Sequence, residues 1–190
     1  MIGLIYLFAG ININPGKNDA ILMANAYKSI NLHAIKGADL AGGRNAEIDV
    51  INELAFALSP GAERTQESRE LGMNFTRMTE NVYQLDIGLS PPLAYPLAAG
   101  LAARHLGCEL KLSLSLFLQS FIGNLISVAV RAVPLGQSDG QIILAQLMPA
   151  VAALADEVAT TPLDDIGGYA ILADHASILH ETLETRIYRT

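Results

Sequence analysis

Nineteen consecutive residues, Leu112 to Val130, carry no formal charge, and a proline-and-glycine corner at Arg131 to Gly136 closes the run. Its length would suffice for a bilayer span. Gln119, Asn124 and four serines lie inside it, however, and such groups are costly in hydrocarbon without partners. A buried core helix is therefore expected ahead of a membrane span. From Leu110 to Leu116 apolar residues alternate with Lys111, Ser113 and Ser115, which alone signals a strand. The pattern continues through Phe117, Leu118, Phe121, Ile122, Leu125 and Ile126 at helical spacing and beyond ordinary strand length, so helix is the expectation. At the corner, Pro134 has no N–H to donate and Gly136 supplies backbone freedom. Ser138 and Gln141 then fit a capping box, opening a helix through Leu144, Leu147, Val151 and Leu154.

The same grammar runs along the rest of the chain. Asn14-Pro15-Gly16 reads as a turn, with Asn18 or Asp19 capping a helix that stops near Gly37. Asn45 can open a second helix through Ile48, Ile51, Leu54 and Phe56, ending at Ser59-Pro60-Gly61. Leu71, Phe75, Met78, Val82 and Leu85 recur every three or four residues and predict one apolar face of a third helix, whose charged start, Glu63 to Glu70, faces solvent or a partner. Pro96 suits a first helical turn and Gly107 a C-terminal stop, giving a short helix over Leu97 to Leu106. Thr161-Pro162 offers another cap, and the last helix is expected from about Gly168 to Leu183, leaving Glu184 to Thr190 as a tail. The fold class is all-α: a single-domain helical bundle of about seven helices over residues 1–190.

Function classes fall away on charge and motif. A formal net charge of −7 with no basic run removes the electrostatic footprint of a nucleic-acid binder. One cysteine, Cys108, forms no internal disulfide, which fits a reducing cytoplasm. Met1 to Ala9 is apolar but lacks the preceding Lys or Arg of a signal peptide. His33, His105, His175 and His180 form no cluster, and the five-residue step from His175 to His180 puts them on different helix faces. Hydrogen-bonded or surface histidine is the plainer reading. No nucleophile elbow, zinc-protease or phosphate-loop pattern is present, and Asp156-Glu157 and Asp164-Asp165 sit where helix ends explain them. No catalytic, cofactor or metal residue is expected. With 51% apolar and 16% charged residues, part of the apolar surface is expected to lie under a second subunit or a partner.

One segment is specific enough to resemble a family. Arg131-Ala132-Val133-Pro134-Leu135-Gly136-Gln137-Ser138-Asp139-Gly140-Gln141 is similar to the central signature of the F-type urease accessory proteins, UreF. Phe121 to Val130 before it, Tyr95 to Ala98, Gly100 to Ala102, and Glu63 to Arg69 with Gly72 resemble further family segments, in order. The end of the chain, His180-Glu181-Thr182 and Arg186-Ile187-Tyr188-Arg189-Thr190, looks like the family's closing His-Glu-Thr and Arg-Leu-Phe-Arg-Ser. Residues 1–17 depart from the family's opening Leu-Pro-x-Gly-x-Phe pattern, so a shortened or divergent N-terminus is the expectation. Leu179 stands where a basic residue usually precedes the His-Glu pair.

The resemblance implies an all-α, cytoplasmic homodimer that bridges the UreD/UreH-type accessory protein and the UreG-type GTPase during GTP-dependent nickel insertion into the urease apoprotein, with no cofactor of its own. On that footing Arg131, Pro134, Leu135, Gly136, Gln137, Gly140 and Gln141 shape the turn and its partner surface. His180, Glu181, Arg186, Tyr188 and Arg189 are the partner-binding candidates of the C-terminus, since Arg and Tyr are typical interface anchors. Plain turn chemistry is the rival account of Pro134, Gly136 and Gly140, and helix-dipole pairing that of Arg131. Two other functions stay open: a helical enzyme using a buried histidine, and a divergent paralogue serving solely as a protein-interaction module.

Overall fold

Spacing of three and four residues becomes helix wherever it was strong in the sequence. The computed structural model describes residues 13–30, 46–85, 87, 92–168 and 171–182. Among them are seven α-helices, a short 3-10 turn at Leu163–Asp165 and no strand. The helices are α1 (Ile13–Ser29), α2 (Ala46–Ala57), α3 (Ala62–Tyr83), α4 (Tyr95–His105), α5 (Leu110–Ala132), α6 (Gln137–Val158) and α7 (Ile171–His180). The all-α class read from the sequence is what these residues form.

Several boundaries differ from expectation for identifiable reasons. Asn14-Pro15-Gly16 is the first turn of α1 and not a turn ahead of it, because a proline there removes an N–H that has no intrahelical partner anyway. That helix ends at Ser29; the expected stop at Gly37 and the Asn45 cap lie outside the described residues. Thr161 does not open a new α-helix: its hydroxyl donates to the Glu157 carbonyl at 2.9 Å, closing α6, and Pro162 leads into the 3-10 turn.

The helices gather into two compact units, with α1 contributing its first half to one and its second half to the other. In the unit holding α2, α3, α4 and α7, α4 is the centre: every residue from Pro96 to Ala102 is buried. Small residues allow this. A Cβ at Gly100 would overlap the main-chain carbonyl of Met23 in α1, and one at Gly72 of α3 would overlap that of Leu93. Asn52 of α2, itself buried, accepts the Ala94 N–H at 2.8 Å and donates to the Pro92 carbonyl at 3.0 Å, fixing the extended lead into α4. Tyr95 meets Phe75 edge to face at 5.7 Å, and burial pushes its phenol pKa up. Gly107, at φ 71°, ends α4 in the left-handed region as the sequence predicts.

The face of α3 is a correction. Its buried residues are Gly72, Thr76 and Thr79, while Leu71, Met78 and Val82, predicted to face inward, are 46%, 57% and 65% exposed. The close approach of the Leu93 main chain selects the glycine side of the helix. Thr76 can follow it inward because its hydroxyl donates to the Gly72 carbonyl at 2.8 Å.

The other unit is built on the α5–α6 hairpin. Ile126, Ile143 and Leu147 form a buried cluster, with Ile122, Val130, Leu135 and Leu144 packed around it. The strand-like alternation at the start of α5 has a different meaning in a helix, where a two-residue step turns about 200°. Leu114 and Leu118 are accordingly buried, and Leu112 and Leu116 are each 57% exposed on the opposite face. Both hairpin helices are long and apolar enough for a bilayer by length and composition, yet just 28% of the most apolar window in each is buried. The buried part of α5 is one stripe, Leu114, Leu118 and Ile126, and not its whole uncharged length. Pro149 sits inside α6 at an exposed position, where water can take the carbonyl of Ala145 that loses its helical donor.

Candidate functional site

The corner between α5 and α6 is closed by backbone and one carboxylate. Val133 N–H continues the helix to the Ala129 carbonyl at 2.9 Å, and Leu135 N–H reaches the Val133 carbonyl at 2.7 Å. Gly136 is extended, at φ −72° and ψ 155°, and caps α6. Its N–H donates to Asp139 Oδ2 at 3.2 Å, and its carbonyl accepts from Gly140 N–H at 3.0 Å. One half of the capping box expected of Ser138 and Gln141 is thus made two residues earlier, by the Asp139 carboxylate on the Gly136 N–H, and glycine has no side chain to return the contact. Starting α6 at Gln137 makes Asp139 its third residue, the one whose side chain can reach back to the cap.

The seven corner residues separate into two groups. Gly140 is buried, and a Cβ there would stand 3.0 Å from methyl carbons of both Ile126 and Val130, so its smallness lets the two helices close. Leu135 packs on the hairpin cluster and Gly136 makes the turn. Arg131, Pro134, Gln137 and Gln141 are exposed, with Val133 beside them at 43% exposure. Arg131 lies in the last turn of α5, where a cation suits the helix dipole, and its Nη2 donates to Ser127 Oγ at 2.8 Å. The outward face of the corner therefore offers one guanidinium, two amides and two apolar side chains.

His180 and Glu181 are placed differently. His180 Nδ1 is 2.8 Å from Glu63 Oε2, and Glu181 Oε1 accepts the main-chain N–H of Glu63 at 3.1 Å. Both contacts run to the first turn of α3, whose cap, Gly61, has no side chain to offer. Arg186, Tyr188 and Arg189 lie outside the described residues, as does His33. Of the other histidines, His105 Nδ1 is 2.8 Å from the Leu101 carbonyl and His175 is exposed. Among the described residues no three His, Cys, Asp or Glu side chains are grouped to hold a metal ion.

Sequence reasoning missed Asn52, Gly61 and the link from Glu63 to the closing motif. Residues 117 positions apart leave no local signal of their pairing. Gly61 reads as punctuation after Ser59-Pro60, and nothing in that tripeptide shows that a distant carboxylate needs the space.

The family model described as UreF matches residues 6–148. A urease accessory protein UreF of Cereibacter sphaeroides (strain ATCC 17025 / ATH 2.4.3) is 39% identical over 180 residues, covering 95% of this chain and 77% of that protein. The protein of the same name from Ruegeria pomeroyi is 35% identical over 175 residues, 92% of this chain and 73% of its own length. That of Rhodopseudomonas palustris (strain BisB5) is 37% identical over 192 residues, 97% and 74% of the two chains. The proline-and-glycine corner, the all-helical architecture and a match extending over most of the sequence converge, and the chain belongs to the UreF family of urease accessory proteins.

Proposed function

We propose that this chain works as a cytoplasmic, homodimeric scaffold in urease maturation and not as an enzyme. It bridges the UreD/UreH-type accessory protein and the UreG-type GTPase while nickel, the cargo, passes to the urease apoprotein. Membership of the UreF family carries this reading. Exposed apolar side chains support it: Leu71, Met78 and Val82 along α3, and Leu112 and Leu116 along α5. Apolar side chains gathered on one helix face suit a surface that another protein covers.

Co-expression with the two accessory proteins and the urease subunits, followed by size-exclusion chromatography and a urease assay, tests the proposal. A complex containing this chain, with urease activity that depends on it and on added nickel, is the expected result. A chain that elutes alone from all of them, or that turns over a substrate unaided, would overturn it.

A further inference from the structure

The closing His-Glu pair faces into its own unit. Helix α3 starts at a glycine, which has no side chain of its own to cap the N–H groups of the first turn. Glu181, from the end of α7, supplies an acceptor to Glu63 N–H, and the Glu63 carboxylate turns to His180 Nδ1. A negative group beside a helix N-terminus is also favoured by the helix dipole. Gly61 completes the fit, because a Cβ at that position would overlap the Glu181 carboxylate. Apolar anchoring at this end of α7 is thin: Ile178 and Leu179 are 47% and 51% exposed. The His180 and Glu63 side chains, at 33% and 30% exposure, are shielded well enough for their contact to matter.

We propose that His180 and Glu181 are positioning residues. They form a clasp that holds the end of α7, as far as Thr182, on the start of α3. On the scaffold reading above, on which this part rests, the pair affects docking of the UreD/UreH-type partner through that placement and not by touching the partner.

The test uses the full chain and four variants: Glu181→Ala, Glu181→Gln, Gly61→Ala and the double variant Gly61→Ala/Glu181→Ala. Amide hydrogen exchange is read in peptides covering residues 61–66 and 174–182, and capture by immobilised UreD/UreH-type protein is measured alongside. Glu181→Ala and Gly61→Ala are each expected to speed exchange in those peptides about tenfold, without changing the α5–α6 peptides. The double variant exchanges no faster than Glu181→Ala, because the added methyl no longer meets a carboxylate. Glu181→Gln keeps an acceptor oxygen and stays within about twofold of wild type in exchange and capture, whereas Glu181→Ala loses capture about fivefold or more. Additive effects in the double variant, or unchanged exchange, would overturn the clasp. Equal loss of capture by Glu181→Gln and Glu181→Ala, with exchange still normal in the former, would overturn the positioning role. Wild-type chain that captures no partner would count against the scaffold reading, and the exchange cycle would still decide the clasp.

Discussion

Two helix pairs, α3 with α4 and α5 with α6, are each closed by a glycine, and they differ in what that glycine faces. A Cβ at Gly72 would run into the main chain of Leu93, while one at Gly140 would stand 3.0 Å from methyl carbons of Ile126 and Val130. Main chain cannot move aside without carrying α4 with it; methyl groups can shift by a few tenths of an ångström. The α3–α4 contact is further pinned by Asn52, whose two hydrogen bonds hold residues 92 and 94. The α5–α6 contact rests on aliphatic packing around Ile126, Ile143 and Leu147. One pair is thus fixed by backbone and polar geometry, the other by interchangeable hydrocarbon. Rigidity therefore belongs to the first and tolerance to the second.

Gly72→Ala should break this contrast most visibly. Alanine gains about 1 kcal/mol of helix propensity over glycine. Overlap with a fixed carbonyl outweighs that gain, and the expected net loss of unfolding free energy is at least about 3 kcal/mol. Urea denaturation followed by circular dichroism would measure it. A loss below about 1 kcal/mol would mean that the Leu93 segment is as yielding as the hairpin side chains.

Asn52→Ala comes next, at about 2 kcal/mol, because it strands the Ala94 N–H, a donor in a buried setting, together with the Pro92 carbonyl. Gly140→Ala should cost less, about 1 kcal/mol, since the propensity gain offsets part of the crowding against two movable methyl groups. If the alanine at 140 proved the more damaging of the two, the hairpin would be the rigid pair and the comparison would be reversed.

What the sequence showed and hid follows the same division. Punctuation was legible: Pro96 opens α4, Gly107 ends it in the left-handed region, and Pro134 with Gly136 makes the α5–α6 corner. These effects act within a few residues, so local pattern carries them. The inward face of α3 was not legible, since Leu71, Met78 and Val82 give the stronger apolar periodicity while Gly72, Thr76 and Thr79 are the residues buried. Hydrophobic spacing ranks faces by transfer free energy, whereas here the proximity of another main chain decided. The corner's cap was displaced by two residues, and the inward turn of His180 and Glu181 depends on Glu63, more than a hundred positions away. Of the candidate residues, then, the turn at Pro134 and Gly136 was readable, and the internal clasp required the fold.

The smallest stability effect is expected at the outward corner, and it separates docking from folding. Arg131 and Gln137 are exposed, and the Arg131 guanidinium donates to Ser127 Oγ one helical turn away on the same helix. Replacing both by alanine should change unfolding free energy by no more than about 0.5 kcal/mol each, as is usual for exposed positions outside the core. Arginine that is buried by a partner commonly contributes 2 kcal/mol or more, about thirtyfold in affinity, to such a complex. Capture of the UreG-type GTPase and the UreD/UreH-type protein by the double variant is therefore expected to fall by about tenfold or more while its denaturation curve overlays that of wild type. Unaltered capture of both would remove the corner from the docking surface and leave it as a turn that serves hairpin packing alone. Weakened capture together with a shifted denaturation curve would show instead that Arg131 supports the end of α5, and the tolerant pair would then depend on a polar contact much as α3 and α4 do.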